Sequence, residues 1–160
     1  MSTKTEQKQP TCKERWKDHK DGRITALRAL WTAYQAGEDS DLAKATAQEY
    51  GELHEYGLSF DYVAPETFRD QKDGYWRYQI SWGGPSDEFR FYSSGPRYKP
   101  HRIEYWFLDW FDGHGRALRG ADLALMLELW DWFSECGTTE EVQRQAVDAR
   151  FCGPPARLED

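Results

Sequence analysis

The sequence predicts an α+β fold in which an antiparallel meander of three to four strands packs with amino-terminal and carboxy-terminal helices. Segments with strand-like alternation follow one another through the middle of the chain, whereas segments with helical spacing lie before and after them. The connections between the strand-like segments are short, which favours strands that are neighbours in one sheet. The stretch 75–113 also holds two aromatic runs, YWRYQISW and RIEYWFLDWFDG.

The composition is that of an acidic chain with an aromatic-rich core. The 160 residues carry a formal net charge of -7 and include eight Trp, nine Tyr and eight Phe. This negative charge argues against a whole surface that binds nucleic acid non-specifically. The sign alternates along the chain, with basic zones at 1–30 and 67–103 and acidic zones at 31–66 and 104–160.

Cysteine usage and hydropathy predict the cellular setting. The three cysteines are odd in number and form no C-x-x-C pair, so they indicate neither a disulfide framework nor a zinc site. The sequence shows no apolar leader and no apolar segment of the roughly 20 residues that cross a membrane. We therefore expect a cytoplasmic protein without cofactor, metal or membrane association.

The first third of the chain predicts a tail and two helices. Residues 1–11 are polar and lack periodicity, which indicates a flexible tail before a single domain at 12–152; a second tail is expected at 153–160. Apolar residues recur at helical spacing from Ile24 to Tyr34, and Gly37 predicts the end of that helix. Asp39 or Ser40 then predicts the cap of a second helix that runs toward Glu55.

Four central segments have strand patterns. The alternating run 58–62 predicts a first strand, and 76–82 predicts a second strand that buries one side. After a Gly-Gly-Pro turn, a strand at about 88–93 is expected to return antiparallel. The run 103–112 has large apolar groups on both sides, which is typical of a central strand covered on both faces, or of a strand with one face in a partner.

The last third predicts a loop and two helices. The segment 112–116, Asp-Gly-His-Gly-Arg, is interpreted as a loop; a phosphate or metal site there is the alternative, although the P-loop pattern is missing. Apolar residues at helical spacing from Leu123 to Phe133 predict a helix that ends at Gly137. Thr138 and Glu141 have capping-box spacing and predict a last helix to about Arg150.

The helix around Leu123–Phe133 carries the best candidate contact surface. Glu128, Asp131 and Glu135 fall together opposite the apolar stripe, and Trp132 lies at their edge. Carboxylates beside an aromatic anchor suit a partner surface rich in Lys and Arg. An ordinary solvated helix face explains the same pattern.

Two aspartates of the aromatic strand, Asp109 and Asp112, complete the predicted partner-binding set. Asp109 lies within Trp-Phe-Leu-Asp-Trp-Phe, where burial raises the pKa of a carboxyl unless a cation pairs with it. Arg77 or Arg90 on a neighbouring strand is the expected partner. A small metal-dependent hydrolase is the third functional hypothesis, and it requires Asp109, Asp112 and His114 to converge in a pocket.

A basic segment supports the second functional hypothesis, a small nucleic-acid-binding regulatory protein. Its cations are Lys13, Arg15, Lys17, Lys20 and Arg23. A second basic group in the connection before the aromatic strand would assist them, namely Arg97, Lys99 and Arg102. An enzyme is not favoured, because the nucleophile elbow G-x-S-x-G is missing and the four histidines lie far apart in polar contexts.

The amino-acid sequence of the sheet segment resembles that of a known group of proteins. Residues 75–91, YWRYQISWGGPSDEFRF, and 103–113, IEYWFLDWFDG, resemble small uncharacterised proteins carried on bacterial plasmids and related mobile elements. The resemblance brings no catalytic motif and no site residues. It implies a setting in which small acidic accessory proteins counter host defences, as antirestriction and anti-CRISPR proteins do. The leading hypothesis is therefore a protein that binds and inhibits a host nucleic-acid-targeting defence complex through protein–protein contacts.

Overall fold

The computed structural model of the chain describes residues 8–151. Most of the amino-terminal tail predicted at 1–11 and all of the tail predicted at 153–160 lie outside the described residues. The elements in chain order are α1 (Cys12–Ala36), α2 (Asp41–Tyr50), α3 (Leu53–Tyr56), β1 (Ser59–Val63), β2 (Tyr75–Ser81), β3 (Ser86–Tyr92), β4 (Arg102–Asp109), β5 (Asp112–Ala117), α4 (Gly120–Glu135) and α5 (Thr138–Phe151).

The α+β class and the meander are confirmed, but the sheet has five strands instead of three to four. The strand order is β1-β2-β3-β4-β5, and every neighbouring pair is antiparallel. The additional strand is β5, which the sequence analysis wrongly interpreted as a loop. The aromatic run ends at Asp109, and Trp110 and Phe111 form a two-residue turn, so that Asp112 pairs back with Asp109.

The core lies between one face of the sheet and the helices α1 and α4. Large aromatic side chains on this inner face are almost fully buried, and α4 contributes Trp130 and Met126 to the same cluster. Trp130 contacts Trp76 edge-on with a ring-centroid distance of 5.2 Å and lies 5.4 Å from the ring of Phe91. Aromatic residues therefore provide much of the core, as the composition predicted.

Helix ends in the first third follow local capping chemistry. Thr11 and Glu14 form a reciprocal capping box at the start of α1, with Glu14 N donating to Thr11 Oγ1 at 3.2 Å. The helix ends at Gly37, as predicted. The second predicted helix is instead divided at Gly51, whose φ of +76° is left-handed, into α2 and the single turn α3. Ser40 caps α2 through a 3.0 Å hydrogen bond from Ala43 N.

The start of α5 differs from the predicted capping box. Thr138 is already the first helical residue, and Glu141 accepts hydrogen bonds from Arg144 and Gln145 instead of reaching back. Thr139 is fully buried and donates to the Pro96 carbonyl at 2.8 Å, which ties α5 to the connection before β4. In the part of the chain that the structure describes, no helix combines the length and the apolar character needed to cross a membrane.

The outer face of the sheet explains why the aromatic strand is apolar on both sides. Trp106 of β4 lies under the guanidinium of Arg90, at 4.2 Å from the ring centroid, and the same guanidinium lies 4.8 Å from the ring of Tyr75. Glu88 accepts from Arg90 Nε at 2.9 Å. The face of the indole rests on Gly115 of β5, where a Cβ atom would overlap the ring.

We expect Gly115→Ala to destabilise the protein by about 1 to 3 kcal/mol, because the new methyl group forces the Trp106 ring away from Arg90. The measurement is urea-induced unfolding followed by tryptophan fluorescence. Gly22→Ala is the matched control, since Gly22 is a helical glycine with no atom within 4 Å of the added Cβ. Equal stability of the Gly115→Ala protein and the wild type would contradict this packing.

Candidate functional site

The two aspartates predicted to bind a partner anchor helix α1 to the β4–β5 hairpin. Asp109 Oδ2 accepts from Arg15 Nη2 at 2.6 Å. Asp112 Oδ2 accepts from the backbone N–H of Cys12 at 2.8 Å, and this hydrogen bond lowers the pKa of the Asp112 carboxyl. Both carboxylates therefore already have partners within the chain.

The arginines expected to pair with Asp109 have other partners. Arg77 forms a two-point contact with Asp61, with Nη2 to Oδ2 at 2.7 Å, and Arg90 pairs with Glu88 on its own strand. Asp61 lies directly opposite Arg77 in the pairing of β1 with β2, and Glu88 lies two residues before Arg90 on β3. The true partner of Asp109, Arg15, comes from a helix 94 residues earlier.

Most cations of the basic segment are paired with carboxylates. Lys13 is exposed and takes no part in the ion pairs of residues 8–151. The other four cations are paired: Arg15 with Asp109, Lys17 with Asp21, Lys20 with Asp21 and Asp122, and Arg23 with Asp87. In the second basic group, Arg97 pairs with Glu140, Arg102 pairs with Glu104 and Lys99 is exposed. Little of this positive charge is left for phosphate groups.

A buried polar cluster surrounds Asp87, which is 2% exposed. Its carboxylate accepts from Arg23 Nε at 2.6 Å, from Tyr105 Oη at 2.6 Å and from the Ser81 hydroxyl. Burial alone would lower the pKa of the Arg23 guanidinium, but the hydrogen bonds to Asp87 and Tyr56 outweigh it and raise that pKa. Burial also raises the pKa of the Tyr105 phenol, and the Asp87 charge raises it further. The cluster holds α1 on the sheet.

The residues of the hydrolase hypothesis lie close together but are occupied by structural contacts. His114 of β5 meets the ring of Trp16 edge-on at 6.1 Å. Burial lowers the pKa of His114, and the charges of Arg116 and Lys13 lower it further. Within residues 8–151, no three His, Cys, Asp or Glu side chains are grouped in a way that would hold a metal ion.

A surface depression lies between the second half of α1, α2, the start of α3 and the end of α4. We call it the acidic groove; its volume is about 730 Å³. A smaller apolar depression of about 340 Å³ adjoins it, and both are lined by Leu53, His54 and Trp132. Trp132, one of the predicted contact residues, therefore stands where the two depressions meet.

Tyr34 and Trp132 form an aromatic wall of the acidic groove, and Trp31 packs against both rings. Trp31 stacks on Tyr34 with a centroid distance of 5.6 Å, and Trp132 lies 5.7 Å from Tyr34 and 6.5 Å from Trp31. Glu128 Oε2 accepts from Trp31 Nε1 at 2.6 Å, which fixes the indole. The sequence analysis assigned Trp31 and Tyr34 to the core stripe of the first helix and so missed their place beside Trp132.

Five carboxylates near these rings pair with no Lys or Arg that the structure describes, although Lys44 lines the same groove and His54 lies 3.3 Å from Glu52. Glu38 and Glu52 line the groove, and Glu128, Asp131 and Glu135 are exposed on α4 next to Trp132. Among residues 8–151, the ion pairs with Lys or Arg include none of these five carboxylates. Trp132 thus connects the predicted grouping on α4 with two further acidic residues, Glu38 in the connection after α1 and Glu52 at the amino-terminal cap of α3.

A second apolar surface lies at the turns of the sheet. Trp82, Trp110 and Phe111 are 76%, 87% and 105% exposed. The two turns are neighbours, since a Cβ on Gly84 would lie 3.6 Å from Trp110 Nε1. Trp110 has a φ of +55°, a conformation that costs a bulky residue energy and that glycine adopts freely. The sequence analysis treated these aromatics as strand residues.

The acidic groove offers ring faces and hydrogen-bond acceptors, which bind cationic groups such as the side chains of Lys and Arg. Comparisons of this chain with protein-family models, with curated proteins and with solved structures find no match.

Proposed function

We propose that this protein is an inhibitor that binds, through its acidic groove, a basic surface of a host nucleic-acid-targeting defence complex. The observation that carries the proposal is the convergence of Trp31, Tyr34 and Trp132 with carboxylates that pair with no Lys or Arg among residues 8–151. A surface that binds DNA or RNA is rich in Lys and Arg, and these side chains are complementary to such a groove.

The aromatic wall supplies the apolar part of the contact. Tryptophan and tyrosine dominate binding energy at protein interfaces because they bury large areas and lose little side-chain entropy. Trp132 is half-buried and supported by Phe133, 5.0 Å away, so its ring is oriented before a partner arrives. A guanidinium that stacks on this ring gains cation–π attraction as well as charge pairing.

Charge distribution supports the acidic groove over the basic segment. In the zone 31–66, Lys44 is the single Lys or Arg beside eight Asp and Glu, and α4 has four acidic and no basic residues. In the basic segment of α1, in contrast, four of the five cations pair within the chain. Direct nucleic-acid binding therefore has fewer available contacts than binding to a basic protein surface.

The test combines capture with charge reversal. Tagged protein is incubated with nuclease-treated host lysate, captured subunits are identified by mass spectrometry, and the purified subunit is titrated in solution. We expect a subunit of a nucleic-acid-targeting complex, and we expect Glu128→Lys, Asp131→Lys and Glu135→Lys together to weaken its binding at least about hundredfold. Higher salt should weaken wild-type binding, because exposed charges are screened.

The control variant carries the same change in charge at distant exposed carboxylates, Asp18→Lys, Glu66→Lys and Asp73→Lys. It should bind like the wild type. Equal loss in both variants would mean that net charge alone governs binding, and unchanged binding of the α4 variant would refute the assignment of the α4 carboxylates beside the acidic groove to the contact. Association that disappears on nuclease treatment would instead support the nucleic-acid-binding alternative.

A further inference from the structure

Strand β5 is an open edge of the sheet. The two edge strands each pack against a helix, β1 against α5 and β5 against α1, and within residues 8–151 the far side of β5 pairs with no other strand. Gly113 and Ala117 are exposed. Natural proteins usually protect such an edge, because its unpaired backbone groups accept any extended chain.

The hydrogen-bond pattern shows which backbone groups face the open side. Leu118 N donates to Ile103 O at 2.8 Å. Bonded and non-bonded pairs alternate along an antiparallel ladder, so the residues of β5 that bond to β4 are 112, 114 and 116. The N–H and C=O groups of Gly113, Gly115 and Ala117 therefore point away from β4.

The side chains around the open edge of β5 are mainly positively charged or apolar. Lys13, Arg116 and Arg119 take no part in the ion pairs of residues 8–151. The first turn of α1 is held beside the hairpin by the contact of Cys12 with Asp112, and Arg119 directly precedes α4. The nearby Asp112 carboxylate is already used in that contact.

We propose that the open edge of β5 binds an extended acidic segment of a partner protein by strand addition. The segment's backbone pairs with Gly113, Gly115 and Ala117, its carboxylates meet Lys13, Arg116 and Arg119, and its end nearest the turn contacts Trp110. A second copy of the chain is less suitable, because its β5 strand offers Arg116 and a single carboxylate, Asp112, which is already used in the contact with Cys12. This site is separate from the acidic groove and does not depend on it.

The experiment uses two fluorescein-labelled peptides, one of alternating glutamate and valine and one of alternating lysine and valine. Fluorescence anisotropy of the full chain should give a Kd at least about tenfold lower for the acidic peptide. The acidic peptide should also slow amide hydrogen exchange at Gly113, Gly115 and Ala117. Equal affinities for both peptides, or protection confined to other segments, would overturn the proposal.

Two variants distinguish the contribution of backbone pairing to peptide binding from the contribution of charge. Ala117→Pro removes an outward N–H and should weaken acidic-peptide binding about tenfold or more, since proline is tolerated on an edge strand where its nitrogen faces solvent. Arg116→Glu with Arg119→Glu should abolish the preference for the acidic peptide even if the proline variant does not fold. Lys72→Glu, an exposed lysine in the connection before β2, is the charge control and should bind normally. Unchanged affinity in the double charge variant would also overturn the proposal.

Discussion

Replacing Asp87 with alanine is expected to lower the free energy of unfolding by about 3 to 5 kcal/mol, because it leaves a partly buried guanidinium without its counter-charge. The carboxylate contacts Arg23 at two points, 2.6 Å and 3.2 Å, and also accepts from Tyr105 and Ser81. A domain is stable by roughly 5 to 15 kcal/mol in total, so this change brings it near unfolding. The measurement is urea unfolding followed by tryptophan fluorescence.

The control for Asp87 is a double-mutant cycle. Arg23→Met removes the cation but keeps an apolar stem, and with Asp87→Ala no unpaired charge remains. The double variant should therefore lose about 0.5 to 3 kcal/mol less than the sum of the two single variants. Additive losses would show that the contact contributes nothing beyond the two residues' separate packing.

Two tryptophans on α4 should respond in opposite ways. Trp130 is 1% exposed and packs between Trp76 and Phe91, so Trp130→Ala is expected to cost about 3 to 5 kcal/mol of stability. Trp132 lies two residues later on the wall of the acidic groove. Trp132→Ala should cost less stability but should weaken partner binding by about 2 kcal/mol or more, the loss typical of a central aromatic contact.

Thermal unfolding and titration with the captured subunit, run on both variants, test this pair. The Trp130 protein should melt at lower temperature and, while folded, bind like the wild type. The Trp132 protein should melt near the wild type and bind weakly. Full binding by the Trp132 variant would contradict the proposed role of the aromatic wall.

Local chemistry predicted most of the secondary structure but not the fifth strand. Alternation identified β2, the Gly-Gly-Pro turn placed β3 after it, and helical spacing identified α1 and α4, because each of these elements turns apolar residues toward one core. The expectation that β2 buries only one side was wrong, since Tyr75 and Gln79 on its outer face are also buried. In β5 the same local rules failed. Gly113 and Gly115 are typical of a turn. Here glycine is needed because the side chains of Leu108 and Trp106 occupy the space in which a Cβ atom would lie. That reason is in a neighbouring strand, outside the range of local patterns.

The candidate site, like the fold, could be predicted only in part from local sequence patterns. The grouping of Glu128, Asp131 and Trp132 follows from helical periodicity and was predictable. The position of Trp31 and Tyr34 beside Trp132 depends on how α1 crosses α4, which a one-dimensional pattern does not contain. The ion pair of Asp109 with Arg15 likewise joins residues 94 positions apart, which a local pattern does not contain.

Helix α1 cannot complete its contacts on the ribosome until much of the chain that follows it has been synthesised. Its polar partners on β3, on the β4–β5 hairpin and on α4 lie 64 to 102 residues later in the chain. At roughly 5 to 20 residues per second, translation delivers them about 3 to 20 seconds after the helix itself. During that interval the apolar side of α1 has no sheet to cover it and is exposed to contacts with other chains.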